Sequence, residues 1–214
     1  MGNRYFGTYE TFKTPSQKEG GALMGSDNLV GDRYSIELEM EEGAHRAWVV
    51  NRFGKRIGFF EPGASRQLSL LRAQGLELVA LLSYVGFERE GKAGSYFGEC
   101  AVLAYHPAYE EAFSRFADGI GARLAEGVRP QIDLGEEGAQ RIIESDGAWS
   151  PKQTLGAPRK QEGVMVMKQR RSFADKAVEQ GRAGNPGCYA ASILFIVAAL
   201  GLVAFAVASC TGVL

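Results

Sequence analysis

The chain has 214 residues, 45% of them hydrophobic, and its 24 Lys and Arg nearly cancel its 25 Asp and Glu to a net charge of -1. Three cysteines are too few for a disulfide framework and suit a reducing compartment. With two histidines, no CxxC and no HExxH, the sequence offers no metal motif, and neither a metal nor a cofactor is expected.

In chain order, residues 1–31 mix Gly, Ser, Thr, Lys and Asn around Pro15 and Gly20-Gly21 without a sustained apolar period. They read as a disordered N-terminal segment. Residues 32–145 read as one domain, a usual size for a single core. Ser35 to Met40 alternates Ile36 and Leu38 with acidic residues, as a half-exposed strand does. Ala47 to Val50 and Arg56 to Phe60 flank Asn51-Arg-Phe-Gly54-Lys, whose Asn and Gly supply the turn of a hairpin. Ala64 to Gln74 carries Leu68, Leu70 and Leu71 on a helical face, and Gly75 stops it. Leu76 to Phe87 and Tyr96 to Tyr105 are predicted strands joined by the charged loop Glu88 to Gly94. After Pro107 a second helix places Ala112, Phe113, Phe116, Ile120 and Leu124 on one face. Strands then helix, twice, predict an α+β domain.

Residues 146–187 read as a basic juxtamembrane linker, flexible to about Gly163, then a short basic helix over Val164 to Gln180. Residues 151–187 hold 8 Lys and Arg against 3 Asp and Glu, whereas residues 1–150 hold 16 against 22. From Cys188 to Leu214 there is no charged residue, and the run from Tyr189 to Ser209 reaches the roughly 20 residues that one helix needs to cross a bilayer. Residues 188–214 are therefore predicted as a transmembrane helix, a C-terminal, single-pass anchor. Lys168, Arg170, Arg171, Lys176 and Arg182 precede it and nothing basic follows, which predicts a cytoplasm-facing domain.

The run Ala47-Trp-Val-Val-Asn-Arg-Phe-Gly-Lys-Arg-Ile-Gly58, the helix after it and Gly75-Leu-Glu-Leu-Val-Ala-Leu-Leu82 resemble the HIRAN domain. In that family a strand ending in a turn leads to an Ile-Gly strand, a short helix over the barrel and a further strand. The resemblance implies a small OB-like β-barrel or curved antiparallel sheet with two helices, and binding of the free 3′ end of single-stranded DNA. The family's Asn-Pro-Tyr-Asp-like loop has no counterpart here, because Leu38-Glu-Met-Glu-Glu-Gly-Ala-His-Arg46 passes straight into the strand. No binding residue is carried over from the family.

The residues themselves offer a hypothetical binding set. Arg46, Arg52, Lys55 and Arg56 cluster at the hairpin, and Phe59, Tyr84 and Phe97 are aromatics of the sheet with the means to mark a groove. The acidic domain favours a protein or peptide partner over a polyanion, so the expected function is a small binding domain on a membrane tether. Single-stranded nucleic acid is the alternative if cations and aromatics share one open face. An enzyme is a further alternative, but His45, His106, Cys100 and scattered carboxylates assemble no catalytic constellation, and none is expected.

Overall fold

The computed structural model describes residues 4–41, 43–90, 93–156 and 163–182, and the chain divides into two units between Arg171 and Ser172. The first unit is a mixed α+β domain. Its elements are β1 (Tyr5–Lys13), α1 (Gln17–Gly21), β2 (Arg33–Glu41), β3 (Ala44–Val50), β4 (Arg56–Phe60), α2 (Pro62–Ala73), β5 (Glu77–Glu90), β6 (Ala93–Tyr105), α3 (Glu110–Ala125), β7 (Arg129–Pro130), α4 (Gly135–Glu144), β8 (Thr154–Leu155) and β9 (Val164–Lys168). The described part of the second unit holds α5 (Phe173–Arg182).

One antiparallel sheet runs β2-β3-β4-β1-β6-β5-β9, and β2 also pairs with β5 through Arg33 opposite Leu81 and Tyr34 opposite Ala80. That pairing closes the six strands β1 to β6 into a ring. Because side chains alternate along a strand, each strand has an inner and an outer set. Phe12, Ile36, Val49, Ile57, Phe60, Leu82, Cys100 and Val102 all fall in the inner set and pack as one buried cluster with Leu68 and Leu71 of α2. Ser65 fastens α2 to the sheet: its hydroxyl donates to the Phe60 carbonyl at 2.9 Å and accepts from the Ala47 amide at 3.1 Å. Gly75, at φ 84°, ends that connection in a left-handed turn that a side chain would strain.

Among the described residues, the outer set is covered on one side only. Tyr5, Leu81, Ala101 and Leu103 pack beneath Phe113, Phe116, Ala117, Ile120 and Leu124 of α3 and beneath Ala139 and Ile142 of α4. Each aromatic there has a partner: Tyr5 stacks on Phe113 at 5.3 Å, as does Tyr105. Further along β1, β6 and β5 the helices no longer cover the outer face, and that uncovered part positions the site described below.

Four expectations are corrected. From Arg4 onward the N-terminal segment is ordered: β1 lies between β4 and β6, Phe12 is fully buried, and Leu23, Leu29 and Val30 join the core. The strand Tyr-Phe-Gly-Thr-Tyr-Glu-Thr-Phe-Lys has no apolar run, but its aromatic and Thr residues suit a strand with a neighbour on each side. Val164–Lys168 is a strand on the free edge of β5, not helix, because two Val and two Met in alternation fit a pleat once β5 supplies the hydrogen bonds. The expected flexible stretch after Asp146 is ordered where it is described: Pro151 is buried and Thr154–Leu155 pairs with β7. The predicted loop from Glu88 to Gly94 also differs, since Glu88, Arg89 and Glu90 continue the ladder opposite Ser95, Gly94 and Ala93.

The predicted membrane span, 188–214, lies outside the described residues. Among the described residues no helix is long and apolar enough to cross a membrane.

Candidate binding face

A row of outward-pointing side chains crosses the ring at one level. Direct register pairs set it: Glu37 opposite Trp48, Trp48 opposite Phe59, Phe59 opposite Lys13, Lys13 opposite Phe97, and Phe97 opposite Gly86. Trp48, Phe59 and Phe97 are half-buried, so each shows part of its ring to solvent. Gly86 is required at the end of the row: a Cβ there would stand 2.3 Å from Cζ of Phe97, whose ring lies across it.

Trp48 and Phe59 meet edge to face at 5.3 Å, and two guanidinium groups lie over them. Arg46 sits 4.7 Å from the Phe59 ring centre and 5.8 Å from that of Trp48; Arg56 sits 5.2 Å from Trp48. Exposed contacts of this kind are worth about 0.5–1 kcal/mol each. Carboxylates of β2 and its end neutralise both cations: Arg46 pairs with Glu41 at 2.8 Å, and Arg56 pairs with Glu37 at 2.9 Å and with Glu39. The hydrogen bond from Arg56 holds the Glu39 carboxyl below the usual carboxylate range. Lys13 is likewise paired, with Glu61 at 2.6 Å.

Beyond Lys13 the row opens into a cleft of about 380 Å³ lined by Lys13, Tyr84, Glu88, Phe97, Glu99 and Arg129 among others. Tyr84 reaches this outer surface because the ladder slips between Leu82 and Tyr84, a bulge that reverses the alternation of β5. It meets Phe97 edge to face at 6.0 Å. At the cleft's base Arg129 Nη2 contacts Glu99 Oε1 at 2.5 Å, with side chains only 14% and 10% exposed. The same guanidinium lies 4.8 Å from the Tyr9 ring and donates to the Gly156 carbonyl at 2.9 Å. Burial pushes the Glu99 carboxyl above the usual carboxylate range, outweighing the opposing pull of Arg129. Burial also raises the Tyr84 phenol, to about 12, with Glu99 adding to the effect. Burial likewise raises the phenol of Tyr9, the other tyrosine in contact with Arg129.

Of the seven residues predicted from sequence, Arg46, Arg56 and Phe59 come together around Trp48, and Tyr84 and Phe97 come together in the cleft. Arg52 and Lys55 belong to the exposed hairpin turn instead, where Arg52 lies over Phe53 at 5.1 Å. The turn is built by Asn51, whose side-chain oxygen accepts from the Phe53 and Lys55 amides. Sequence reasoning missed Lys13, Glu99 and Arg129. Glu99 carried a signal, a charge in the middle of an apolar strand; Arg129 carried none, since it arrives from beyond α3.

The other groups considered for chemistry are elsewhere. Cys100 is fully enclosed and burial pushes its thiol well up, which leaves it unreactive. His106 accepts from the Ala108 amide at 3.2 Å and caps a short turn. Among the described residues no group of three or more His, Cys, Asp or Glu is placed to hold a metal ion. A larger cavity of about 470 Å³ lies beside α4, where Arg141 pairs with Glu137 at 2.6 Å and lies over Trp149; it shares no residue with the row. No family model matches the chain, and no curated protein matches it.

Proposed function

We propose that this chain is a membrane-tethered binding protein that uses the outer row and its cleft to hold a protein or peptide segment. The observation that carries the reading is the row itself: half-exposed aromatics and cations on one surface, with Lys13, Arg46 and Arg56 each already matched by a carboxylate. Such a surface offers apolar contact and exchangeable ion pairs to a peptide with both signs of charge, while a polyanion would have to displace Glu37, Glu39, Glu41 and Glu61. The domain is a HIRAN-like, OB-like barrel in this reading. In its support, β3, the Asn51 turn, β4, α2 and β5 follow one another over the residues of the resemblance, and the six strands close. The apolar run from Tyr189 to Ser209 is the tether, with the domain on the cytoplasmic side.

Panning a random peptide library against the full chain in lipid nanodiscs tests the function. Specific peptides should be enriched on the wild type and lost on a Trp48→Ala/Phe59→Ala variant of unchanged stability. No enrichment, or equal enrichment on the variant, refutes the assignment. The second reading, recognition of a single-stranded DNA end, is favoured by the cation and aromatic contacts of Arg46, Trp48 and Phe59. It requires micromolar binding that depends on a free 3′ end; we expect affinity no tighter than about 10⁻⁴ M at physiological salt. For the tether, protease added to intact cells should leave residues 1–187 uncut.

A further inference from the structure

We infer that α5 lies in the membrane interface, with Phe173, Ala174, Ala177, Val178 and Gly181 turned into the lipid. This rests on the span proposed above and goes beyond it, because it adds a second, interfacial contact with the same bilayer. The first observation is the start of the helix. The Ser172 hydroxyl accepts from the Asp175 amide at 3.2 Å and the Asp175 carboxylate accepts from the Ser172 amide at 2.9 Å, a reciprocal cap that fixes where α5 begins. From that start, at 3.6 residues per turn, the five apolar or small residues fall on one side, and Asp175, Lys176 and Glu179 fall on the other.

The second observation is that most of the apolar side is exposed: Phe173, Ala174, Ala177 and Gly181 are exposed, and Val178 is half-buried. Phe173 is 89% exposed, far more than any other large hydrophobic residue described. The third is distance along the chain. Only residues 183–188 separate α5 from Tyr189, and six residues reach at most about 21 Å even fully extended. Once the span is in place, this open face is therefore held within reach of lipid. On the other side of α5 the chain is pinned. Lys168 Nζ donates to the carbonyls of Asn28 and Gly25, the Arg171 amide donates to Ala125, and its side chain bonds Val30 and Asp32. Residues 163–171, part of the linker expected from sequence, thus belong to the first unit.

The occupant is the bilayer's apolar boundary, not its charge. On α5 Lys176 and Arg182 are balanced by Asp175 and Glu179, so anionic lipid is not needed.

The test uses the full chain with Cys188→Ser and Cys210→Ser, since buried Cys100 will not take a label. An environment-sensitive fluorophore is attached at Phe173→Cys, Val178→Cys, Lys176→Cys, Glu179→Cys or, as a control in the span, Val203→Cys, in phosphatidylcholine vesicles. Labels replacing Phe173 and Val178 should be blue-shifted, shielded from aqueous iodide and quenched by brominated lipid. Those replacing Lys176 and Glu179 should remain open to iodide. If the control is quenched by brominated lipid but the Phe173 and Val178 positions are not, the interfacial helix is refuted while the span stands. If those positions are shielded from iodide without lipid quenching, protein covers the face and the inference fails. If the control itself escapes lipid quenching, the span fails and the inference falls with it. A requirement for anionic lipid would overturn the apolar mode.

Discussion

Replacing Arg129 with Met should destabilise the domain by about 3–5 kcal/mol, the usual cost of leaving one member of a buried ion pair without its partner. A surface pair would contribute only roughly 0–1 kcal/mol, but this pair is buried. The Arg129 and Glu99 side chains are 14% and 10% exposed, and burial has already raised the Glu99 carboxyl against the pull of Arg129. Met preserves most of the volume over the Tyr9 ring, so the loss reports the stranded carboxylate more than a cavity. A domain of this size has a total stability of about 5–15 kcal/mol, so the shift is large and readily measured. The double variant Arg129→Met/Glu99→Leu should return close to wild type, because desolvating both charges offsets most of their attraction. Urea unfolding of the full chain in detergent micelles, followed by Trp48 and Trp149 fluorescence, gives all corners of the double-mutant cycle. A single-variant loss under about 1 kcal/mol, or a double variant as unstable as the two singles summed, refutes the reasoning.

The same carboxyl makes a pH prediction: with its folded pKa above the unfolded value of about 4.3, its contribution is intact below that pH and is lost as pH rises through the folded pKa. Relative to Glu99→Gln, the wild type should therefore lose stability as pH rises across that window, and the Glu99 carboxyl resonance in NMR should titrate above ordinary glutamates; a midpoint below 4.3 contradicts this. Gly86→Ala should cost about 1–3 kcal/mol and displace Phe97, because the new methyl meets the ring at 2.3 Å; an unchanged denaturation midpoint would show that the ring has room to move. Deleting residues 1–14 should abolish cooperative unfolding, since it removes β1 from between β4 and β6; a cooperative transition in the deletion would mean that the ring re-closes without it.

What the sequence revealed was the local part of the fold. The hairpin β3 to β4, the helices α2 and α3, and the long strands β5 and β6 each carry their own period and their own stop signals, so they are legible without knowing what they touch. β1 is not, because Thr, Glu and Lys alternate with its aromatics and its burial comes from β4 and β6, distant in sequence. Closure through Tyr34 and Ala80 is likewise a long-range pairing with no local mark. In β9 the Val and Met residues satisfy either period, and only the free edge of β5 decides for a strand. The site divides in the same way. Arg46, Arg56 and Phe59 were legible because a hairpin brings neighbours in sequence together. Tyr84 points outward only through the bulge before it, and Lys13 and Arg129 are supplied by elements far along the chain.

The proposed peptide binding by the outer row takes Arg46 and Phe59 as its anchors. The most direct measurement is the binding isotherm of a panned peptide for the full chain in nanodiscs, repeated with Arg46→Ala and Phe59→Ala. Central aromatic and Arg anchors typically contribute 2 kcal/mol or more, so each substitution should weaken binding by about 30-fold, and a 3′-ended oligonucleotide should not compete. Unchanged affinity in both variants, or competition by the oligonucleotide at micromolar concentration, would contradict it.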